Sequence, residues 1–376
     1  MANTDAIRQA LALSKGARFY HCALQVNPFE YVIRHSKKSQ YADEASYNTA
    51  MVKALLDQGI EVIAITDHYR VQTAKGMAQA AREAGIHVFP GFEAVTKDGI
   101  HLLCLFDPNR EVRELDRILG DCGIHRDEAA SPTGKYDATE FLKAAANTWG
   151  AVCVAAHVAS EGGLLNKLSG QTGINTWRDP DLCACALPGP VCDAPNRIRQ
   201  ILENKNADYR RERLVAIINA QDISSPEDVS KPGASCWIKM SEVSVEGLRQ
   251  AFLDPTSRIR LTTDPKPEDH EEFLALSWQG GFLDGASLHF NENLNVLIGG
   301  RGTGKSTVVE SLRYVLGLDP VSEDAKKAHE GIVKHVLRNG TKISLLVRTH
   351  KPSQRDYLIE RTIPNPAVLR DATGTV

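Results

Sequence analysis

Apolar and polar positions alternate in blocks along the N-terminal part of the chain, and these blocks favour strands and helices in turn. Residues 61–66 and 151–156 are apolar runs of strand length, whereas 46–58 and 138–149 repeat apolar side chains at helical spacing. Gly59 follows the first helical block and is typical of a helix end. Strands that alternate with helices predict a βαβ arrangement with a largely parallel sheet, and therefore an α/β fold.

The same pattern continues through the rest of this region. The predicted strands are 17–26, 61–66, 86–89, 100–106, 151–156, 214–219 and 236–240. The predicted helices are 1–18, 46–58, 73–84, 138–149 and 245–252. Residues 162–195 contain several glycines and prolines, and we interpret this stretch as loop-rich, with no helix or strand predicted in it.

A polar stretch with two prolines, residues 264–269, marks a boundary before a second region. We predict three segments, which are a domain over 1–263, a linker over 264–272 and a second domain over 273–376. The second domain is predicted to contain a hairpin over 277–290 and two further strands over 341–349 and 356–362. A length of 376 residues suits two or three domains.

A glycine-rich segment in the second domain fits the phosphate-loop pattern G-x-x-x-x-G-K-[ST]. Its residues are Gly299, Gly300, Arg301, Gly302, Thr303, Gly304, Lys305, Ser306 and Thr307. The apolar run 294–298 before it predicts a buried strand, and 306–316 after it predicts a helix. Backbone N–H groups at such a turn bind phosphate. We expect Lys305 to contact the outer phosphates of ATP and Ser306 to bind Mg²⁺.

Side chains that can bind metals stand at the ends of several predicted strands. They are Asp67, His68, Glu93, His101, His157 and Asp222. Imidazole and carboxylate groups suit Zn²⁺, Mn²⁺ or Fe²⁺, and the residues alone do not choose among these ions. Each of them singly is more often a structural polar residue. Together at successive strand ends they predict a metal site that could polarise a phosphate and activate water.

Four ordered motifs resemble those of PHP (polymerase and histidinol phosphatase) domains. They are Ile65-Thr66-Asp67-His68, Pro90-Gly91-Phe92-Glu93, Gly99-Ile100-His101-Leu102-Leu103 and Ala155-Ala156-His157. With residues 237–240, residues 246–252 and the phosphate loop, nearly the whole chain resembles TrlF-type proteins, which fuse a PHP domain to an ABC/SMC-like ATPase head. The resemblance implies a distorted seven-stranded β/α barrel followed by the first lobe of that head.

The resemblance also implies a ligand set and a site that has lost part of it. The implied metal ligands are His68, Glu93, His101, His157 and Asp222, with Asp67 orienting one of them. The family's first motif has two histidines where this chain has Gln25 and Asn27, and a later histidine is replaced by Ser224. Amides bind metals weakly compared with imidazole, so we expect room for one metal rather than three. His21 and His35 lie close to the first motif in sequence, and we interpret them as ordinary polar residues; compensation for the lost ligands is the alternative.

Composition and charge bear on the binding partners and on the cellular location of the protein. The formal net charge is −3, which does not indicate a globally basic nucleic-acid binder, and we interpret the arginine-rich segment 197–213 as a solvated helix face. The N-terminus lacks the apolar core of a signal peptide, and no apolar run is long enough for a membrane span. Eight cysteines without a secretory signal indicate free thiols, and we expect a cytoplasmic protein that does not contact a membrane.

Three functional hypotheses follow. The first is an ABC/SMC-like ATPase that works as a homodimer or higher oligomer on DNA or RNA, with an effector protein as a further partner, in prokaryotic antiviral defence or nucleic-acid processing. The second is an active metal-dependent phosphoesterase or nuclease, and the third is a non-catalytic assembly module controlled by ATP. After Lys305 the chain has no apolar strand ending in Asp-Glu and no signature loop. We therefore expect an incomplete ATPase lobe that hydrolyses ATP poorly by itself.

Overall fold

The computed structural model describes residues 5–36, 40–125, 131–265 and 270–371. It divides into two compact units. We name Arg18–Pro265 the barrel unit, and Met1–Ala17 with Lys266–Val376 the phosphate-loop unit. The first helix, α1 (Asp5–Ala12), therefore belongs with the C-terminal unit and not with the barrel, contrary to the domain predicted over 1–263. Residues 266–269 of the predicted linker lie outside the described residues.

The barrel unit is built around one sheet of nine strands in the order β7-β6-β5-β4-β3-β2-β1-β8-β9. The strands are β1 (Arg18–Val26), β2 (Val62–Ile65), β3 (His87–Val95), β4 (His101–Leu105), β5 (Val152–Ala155), β6 (Ala184–Leu187), β7 (Ala216–Asn219), β8 (Cys236–Met240) and β9 (Ile259–Leu261). The two end strands, β7 and β9, also contact each other, so the sheet is nearly closed. This confirms the predicted α/β class with a barrel-like sheet, although the sheet has nine strands rather than seven.

Helices cover the outside of this sheet. They are α2 (Phe29–Ser36), α3 (Glu44–Asp57), α4 (Lys75–Glu83), α5 (Val112–Asp121), α6 (Ala138–Ala144), α7 (Leu164–Lys167), α8 (Gly170–Arg178), α9 (Asn196–Leu202), α10 (Val245–Leu253) and α11 (Pro255–Arg258). Successive side chains of a strand point to opposite faces. In β1, Cys22 and Leu24 pack in one cluster with Leu248 of α10, while Ala23 and Val26 pack in another with α3 and α4. The barrel unit thus has apolar layers on both faces of its sheet.

The sheet is mixed rather than largely parallel as predicted. Strands pair in parallel from β1 to β3 and from β5 to β7, but β4 is antiparallel to both of its neighbours. β3 was predicted to end before Pro90-Gly91, yet it continues and changes partner there from β2 to β4. A Cβ at Gly91 would lie 2.6 Å from the carbonyl oxygen of Cys104, so only glycine permits this close pairing.

Two further predictions for this unit were wrong. The stretch 162–195 is not one loop but contains α7, α8 and β6. Glycine and β-branched residues in α8 favour a helix weakly, and the buried Trp177 supplies the packing that the local sequence does not reveal. The segment 197–213 is not one helix face either, because α9 ends at Leu202 and the arginines that follow lie on a loop.

The phosphate-loop unit contains an antiparallel sheet of five strands in the order β11-β10-β12-β13-β14. The strands are β10 (Glu272–Gln279), β11 (Ser287–His289), β12 (Lys342–Thr349), β13 (Arg355–Thr362) and β14 (Ala367–Arg370), and the helices besides α1 are α12 (Lys305–Val315) and α13 (Glu323–Gly331). The predicted hairpin and the two later strands are present. Trp278 lies in the core of this unit and donates from Nε1 to Ser311 Oγ of α12 at 2.9 Å.

The buried strand predicted over 294–298 is not formed. Leu294, Val296 and Ile298 are 86%, 66% and 92% exposed, and the segment has no strand assignment. A strand needs a neighbouring strand for its N–H and C=O groups, and within the described part of the chain none pairs with this segment. None of the helices in that described part combines the length and apolar character that crossing a bilayer requires.

Candidate functional site

The phosphate loop turns sharply into the first residue of α12. Gly302 and Gly304 adopt φ angles of +82° and +96°, which disfavour any residue with a Cβ. A Cβ on Gly304 would also lie 3.1 Å from the ring of Phe282. Helix α12 starts directly afterwards at Lys305, so its unpaired N–H groups face the loop. The sequence therefore folds locally into the turn that the motif predicts, although without the strand before it.

Lys305 lies across this loop. Its Nζ donates to the carbonyl oxygens of Gly299 and Gly300 at 2.7 and 2.6 Å, and Thr303 Oγ1 donates to Gly300 at 3.0 Å. The ammonium group is thereby held over the glycines where phosphate would bind. These contacts give the loop a defined shape with a positive charge at its centre.

A cavity of about 660 Å³ opens in front of the loop. It is lined by residues 302–307 of the loop and of α12, together with Phe282, His335, Arg338 and Asn339. Its volume is within the range of about 300–1,000 Å³ that is usual for small-molecule sites. The motif predicts the loop residues of this cavity, whereas the other lining residues carry no motif and could not be predicted from the sequence.

The second cluster lies at one edge of the barrel sheet. Glu93 is near the end of β3, and His68, His157 and Asp222 follow β2, β5 and β7. His101 is the first residue of β4, but β4 is antiparallel, so its beginning lies at the same edge as the ends of its neighbours. The fold thus explains why these five residues, far apart in sequence, meet in space. We call them the metal-type cluster.

The cluster consists of two groups of three that share Glu93. His68, Glu93 and His101 offer ligand atoms within 4.8 Å of one another, and so do Glu93, His157 and Asp222. Glu93 Oε1 lies 2.5 Å from His101 Nδ1, and His157 Nε2 lies 3.1 Å from Asp222 Oδ2. Glu93 is only 2% exposed, so it is a carboxylate removed from water among three histidines. Glu93 is therefore common to two candidate cation positions.

Gln25 and Asn27 belong to the same site and are fully buried. The Gln25 amide nitrogen donates to Glu93 Oε2 at 3.0 Å and to Asp222 Oδ1 at 2.8 Å, and so lies between the two carboxylates. Asn27 Nδ2 donates to Asp222 Oδ1 at 3.1 Å and to Ser224 Oγ at 3.0 Å. The amide oxygens of both residues have no hydrogen-bond partner among the described residues. Burying a polar atom without a hydrogen-bond partner is costly, and a bound ion or other ligand is one way in which such an atom gains a partner.

The backbone at this edge is constrained as well. His157 has a φ of +47° and Tyr69, directly after His68, a φ of +48°. Neither is glycine, and such a backbone costs about 1–3 kcal/mol per residue. A Cβ at Gly163 would lie 2.1 Å from the His157 carbonyl oxygen, so the turn after β5 closes tightly behind that histidine. Strained residues at the site itself are consistent with a functional role.

Burial and pairing act differently on the charged groups. Burial lowers the pKa of His68, whose Nδ1 has no hydrogen-bond partner in the described structure. Burial opposes protonation of His157 too, but its hydrogen bond with Asp222 raises the pKa overall. For Asp222, burial opposes ionisation, while hydrogen bonds from His157 and Asn27 lower the pKa overall. A neutral His68 therefore offers a lone pair, and Asp222 stays anionic.

Helix α2 contributes residues that sequence reasoning missed. Arg34 forms an ion pair with Asp67, which also accepts from Thr73 Oγ1 at 2.9 Å. The Asp67 side chain is therefore held by Arg34 and Thr73, and its role in orienting a ligand of the metal-type cluster stays a prediction. The ring of Tyr31 lies 5.7 Å from that of His68. Positions 31, 34 and 35 share one face of α2, and this spacing was the available signal.

The two nearby histidines take different positions. His21 bonds to Ser235 Oγ at 2.9 Å and stacks on Trp237, at the start of β1 and away from the metal-type cluster. It is the ordinary polar residue that we expected. His35 contacts Tyr31 and Ser131, but its ring centroid lies 5.5 Å from that of His68. The structure thus brings His35 to the rim of the site, while metal binding by any of these residues stays a prediction.

Comparison with known proteins gives distant likenesses for the fold. No curated protein matches the chain by sequence. An endonuclease Q solved with a 27-mer duplex substrate bearing an abasic lesion is similar at a TM-score of 0.46 and 13% identity, over 65% of this chain and 58% of that chain. The lesion-specific endonuclease Q of Pyrococcus furiosus is similar at 0.46 and 11% identity, over the same shares of 65% and 58%. The chain therefore spans less than two thirds of the endonuclease Q chains.

A candidate metal-dependent phosphoesterase from Bifidobacterium adolescentis is similar at a TM-score of 0.36 and 15% identity, over 55% of this chain and 88% of that chain. Residues 278–365 match the family described as an AAA domain, and they include the whole phosphate loop. The C-terminal part of the chain therefore carries an AAA-type domain, which implies a bound nucleotide with Mg²⁺.

Proposed function

We propose that this protein binds ATP at its phosphate loop and uses it to control a phosphoester-cleaving barrel unit that acts on nucleic acid. The observation that carries the first half is the phosphate loop at the N-terminus of α12, inside a segment that matches an AAA domain. N–H groups at the start of the helix and Lys305 would bind the phosphates, and Ser306 would bind Mg²⁺. Phe282 and Arg338, which also line the cavity, would contact the nucleoside.

The test of ATP binding is titration of the purified protein with a fluorescent ATP analogue in Mg²⁺ buffer. Lys305→Ala removes the ammonium group over the loop, and we expect affinity to fall about 10- to 100-fold, the usual cost of a lost charge-assisted hydrogen bond. Lys326→Ala is the matched control, because Lys326 is a surface lysine of α13 paired with Glu323. Equal affinity in all three proteins would overturn the proposal.

A second observation supports metal-dependent phosphoester cleavage in the barrel unit. Glu93 is shared by two groups of metal-type ligands, and buried lone pairs of His68, Gln25 and Asn27 have no partner in the described structure. The donors are imidazole and carboxylate, which suit Zn²⁺ and Mn²⁺. A half-turn of the Gln25 amide would present its oxygen rather than its nitrogen to a cation. The residues present therefore fit a divalent ion.

In this proposal Glu93 would hold a divalent ion together with either His68 and His101 or His157 and Asp222, and the ion would supply Lewis-acid chemistry to a phosphodiester. The other residues around the cluster position it. Asn27 fixes the Asp222 carboxylate, and Arg34 and Thr73 fix Asp67 beside His68. We include nucleic acid as the substrate, and prokaryotic defence as the setting, because of the motifs that the chain shares with TrlF-type proteins.

The test of this second half begins with metal content per chain, measured by elemental analysis on protein purified without chelator. We expect about one Zn²⁺ or Mn²⁺ ion per chain, and loss of that ion in His157→Ala. His87→Ala is the control, since His87 is an exposed residue at the start of β3, at the opposite edge of the sheet. Cleavage of a labelled oligonucleotide should follow the metal content across the three proteins.

An empty cluster would instead favour the non-catalytic alternative. One observation supports that alternative, namely that the Gln25 amide nitrogen already bonds to both carboxylates, in the space between them. ATP would then control assembly, and sedimentation should show a larger oligomer with ATP than without. A homodimer that forms through the AAA-type domains belongs to this proposal in either case.

A further inference from the structure

A cavity of about 560 Å³ in the barrel unit lies at the edge of the sheet opposite the metal-type cluster. Residues 182–183, which precede β6, and Leu214, which precedes β7, line this cavity. The cavity is therefore at the beginnings of these parallel strands, whereas the metal-type cluster lies at the edge where the parallel strands end. Four arginines line it, namely Arg178, Arg210, Arg211 and Arg213. We call it the basic cavity. No motif of the sequence and no part of the proposed catalytic chemistry accounts for it.

The charge of the basic cavity is unusual for this chain. Its lining has four arginines and one acid, Glu212, which leaves three positive charges in a protein whose formal net charge is −3. Within the described parts of the chain, none of the four guanidinium groups forms an ion pair with a carboxylate. Arg178, Arg210 and Arg213 are exposed. An excess of arginines over acids attracts anions, and arginine matches phosphate geometry especially well.

The loop that carries three of these arginines is held in shape. Arg211 donates to the carbonyl oxygens of Trp177 and Leu182, and its backbone N–H donates to Asn204 Oδ1 at 2.8 Å. Arg178 donates to the carbonyl oxygen of Ala207 at 3.3 Å. Two of the arginines are thus fixed by backbone carbonyls. Arg210 and Arg213 flank the fixed Arg211 and are presented to solvent by a preorganised loop, which lowers the entropic cost of binding.

Part of the lining of the basic cavity is apolar. Leu214 and Leu253 are 42% and 49% exposed there, next to the buried ring of Phe252. An anion such as sulfate would use only the arginines. A ligand with a phosphate group and an apolar face would contact both the arginines and the leucines, and a nucleotide unit has both parts.

We propose that the basic cavity binds a nucleotide unit of a single-stranded nucleic acid, with Arg210 and Arg213 on the phosphates and Leu214 and Leu253 against the base or sugar. A concave site of this volume accommodates one nucleotide of a single strand better than it accommodates the broad surface of a duplex. The choice of a nucleic-acid strand rests on the proposed function. The test below measures strand binding in the absence of metal and of cleavage. Strand binding at the basic cavity and the proposed function can therefore fail separately.

The experiment is fluorescence anisotropy with a 5′-labelled 12-mer of deoxythymidine, in EDTA and without ATP. Arg210→Glu/Arg213→Glu should weaken binding at least about ten-fold at 100 mM salt. The slope of log affinity against log salt should become shallower by about 1.4, because each phosphate contact on a single strand contributes about 0.7. The matched control is Arg113→Glu/Arg117→Glu on α5, which makes the same charge change outside the basic cavity and should leave affinity within about two-fold.

Other outcomes overturn the proposal. An equal loss in both double variants would mean that only overall charge matters, and no loss in either would mean that the basic cavity does not bind the strand. Displacement of the 12-mer by dTMP at equal nucleotide concentration would assign the basic cavity to a free nucleotide instead. Circular dichroism of both double variants shows whether they are folded, and Leu253→Ala provides a second variant that should weaken binding without a change of charge.

Discussion

The phosphate loop and the metal-type cluster differ in how the chain builds them. The loop is nine consecutive residues, and its chemistry comes largely from backbone N–H groups at the start of one helix. The cluster draws side chains from several strand ends, and its members are separated in sequence by most of the barrel unit. A contiguous site needs only its own turn to form. A dispersed site needs the whole sheet in register before any of its distances exist.

The two sites also differ in burial. Ser306 is exposed at the mouth of its cavity, whereas Glu93 and Gln25 are 2% and 0% exposed. A buried carboxylate must find partners inside the protein, and Glu93 has both His101 and the Gln25 amide. Substitutions at the dispersed site should therefore disturb neighbouring side chains, while substitutions at the loop should act on the ligand.

The largest expected effect tests whether the two sites depend on separate cores. Trp278→Ala removes a fully buried ring from the phosphate-loop unit and should cost about 3–5 kcal/mol of unfolding free energy. We expect ATP binding to be lost and metal binding to persist, as measured by thermal unfolding, ATP titration and metal content. Trp177→Ala in the barrel unit should give the reverse pattern. Loss of both activities in either variant would show one cooperative unit instead of two.

These cores also explain which elements the sequence could predict. Strand β12 and helix α3 carry strong apolar patterns of their own and were found from the sequence. Helix α8 and strand β6 are short, and their stability comes from packing around Trp177 and Cys185 that no local pattern records. The apolar run 294–298 has a strand pattern, but without a pairing strand among the described residues it stays exposed.

The second-largest expected effect tests whether the two ligand groups of the metal-type cluster act through a shared residue. Glu93→Gln removes the carboxylate that both ligand groups share, and we expect metal affinity to fall at least about 100-fold, or about 2.7 kcal/mol. ATP affinity should not change. Competition with a fluorescent zinc indicator measures the loss. If Glu93→Gln retained full metal affinity, the two groups would not act through a shared ligand, and the cluster as described would be wrong.

A gain of function comes third. Gln25→His places an imidazole where the amide nitrogen now lies between Glu93 and Asp222, so we expect metal affinity to rise about ten-fold. Gln25→Leu is the control, because it leaves both carboxylates without that donor and adds no ligand. It should lower stability by about 1–3 kcal/mol in EDTA. Unchanged metal affinity in Gln25→His would indicate that the amide does not occupy a cation position.

For the metal-type cluster, the types of ligand residue were easier to predict from the sequence than the contacts that surround them. His68, Glu93 and His157 follow from strand ends and from family motifs, and the structure does bring them together. The ion pair of Arg34 with Asp67 comes from a helix outside those motifs, so only tertiary structure reveals it. The same holds for the Gln25 amide, since a sequence shows that histidine is absent but not which atom takes its place.

The smallest expected effect concerns the loop that carries Asp222. Asp228 accepts from the backbone N–H groups of Ser224 and Ser225 at 3.0 and 2.9 Å and pairs with Lys231 at 2.6 Å. Burial opposes ionisation of Asp228, but these partners lower its pKa below the usual value overall. Its stabilising contribution is therefore present above about pH 4 and is lost as the pH falls through the lowered pKa.

Asp228→Asn should accordingly lower the unfolding free energy by about 1 kcal/mol at pH 7, measured by urea denaturation in EDTA. The difference from the unsubstituted protein should begin to shrink below about pH 4 and should be lost below the lowered pKa of folded Asp228, where the residue is protonated in both the folded and the unfolded state. Asp57→Asn serves as the control, because Asp57 is an exposed residue paired with Lys53, and it should change stability by less than about 0.5 kcal/mol. A difference that stays constant with pH would mean that Asp228 acts through packing and not through its charge.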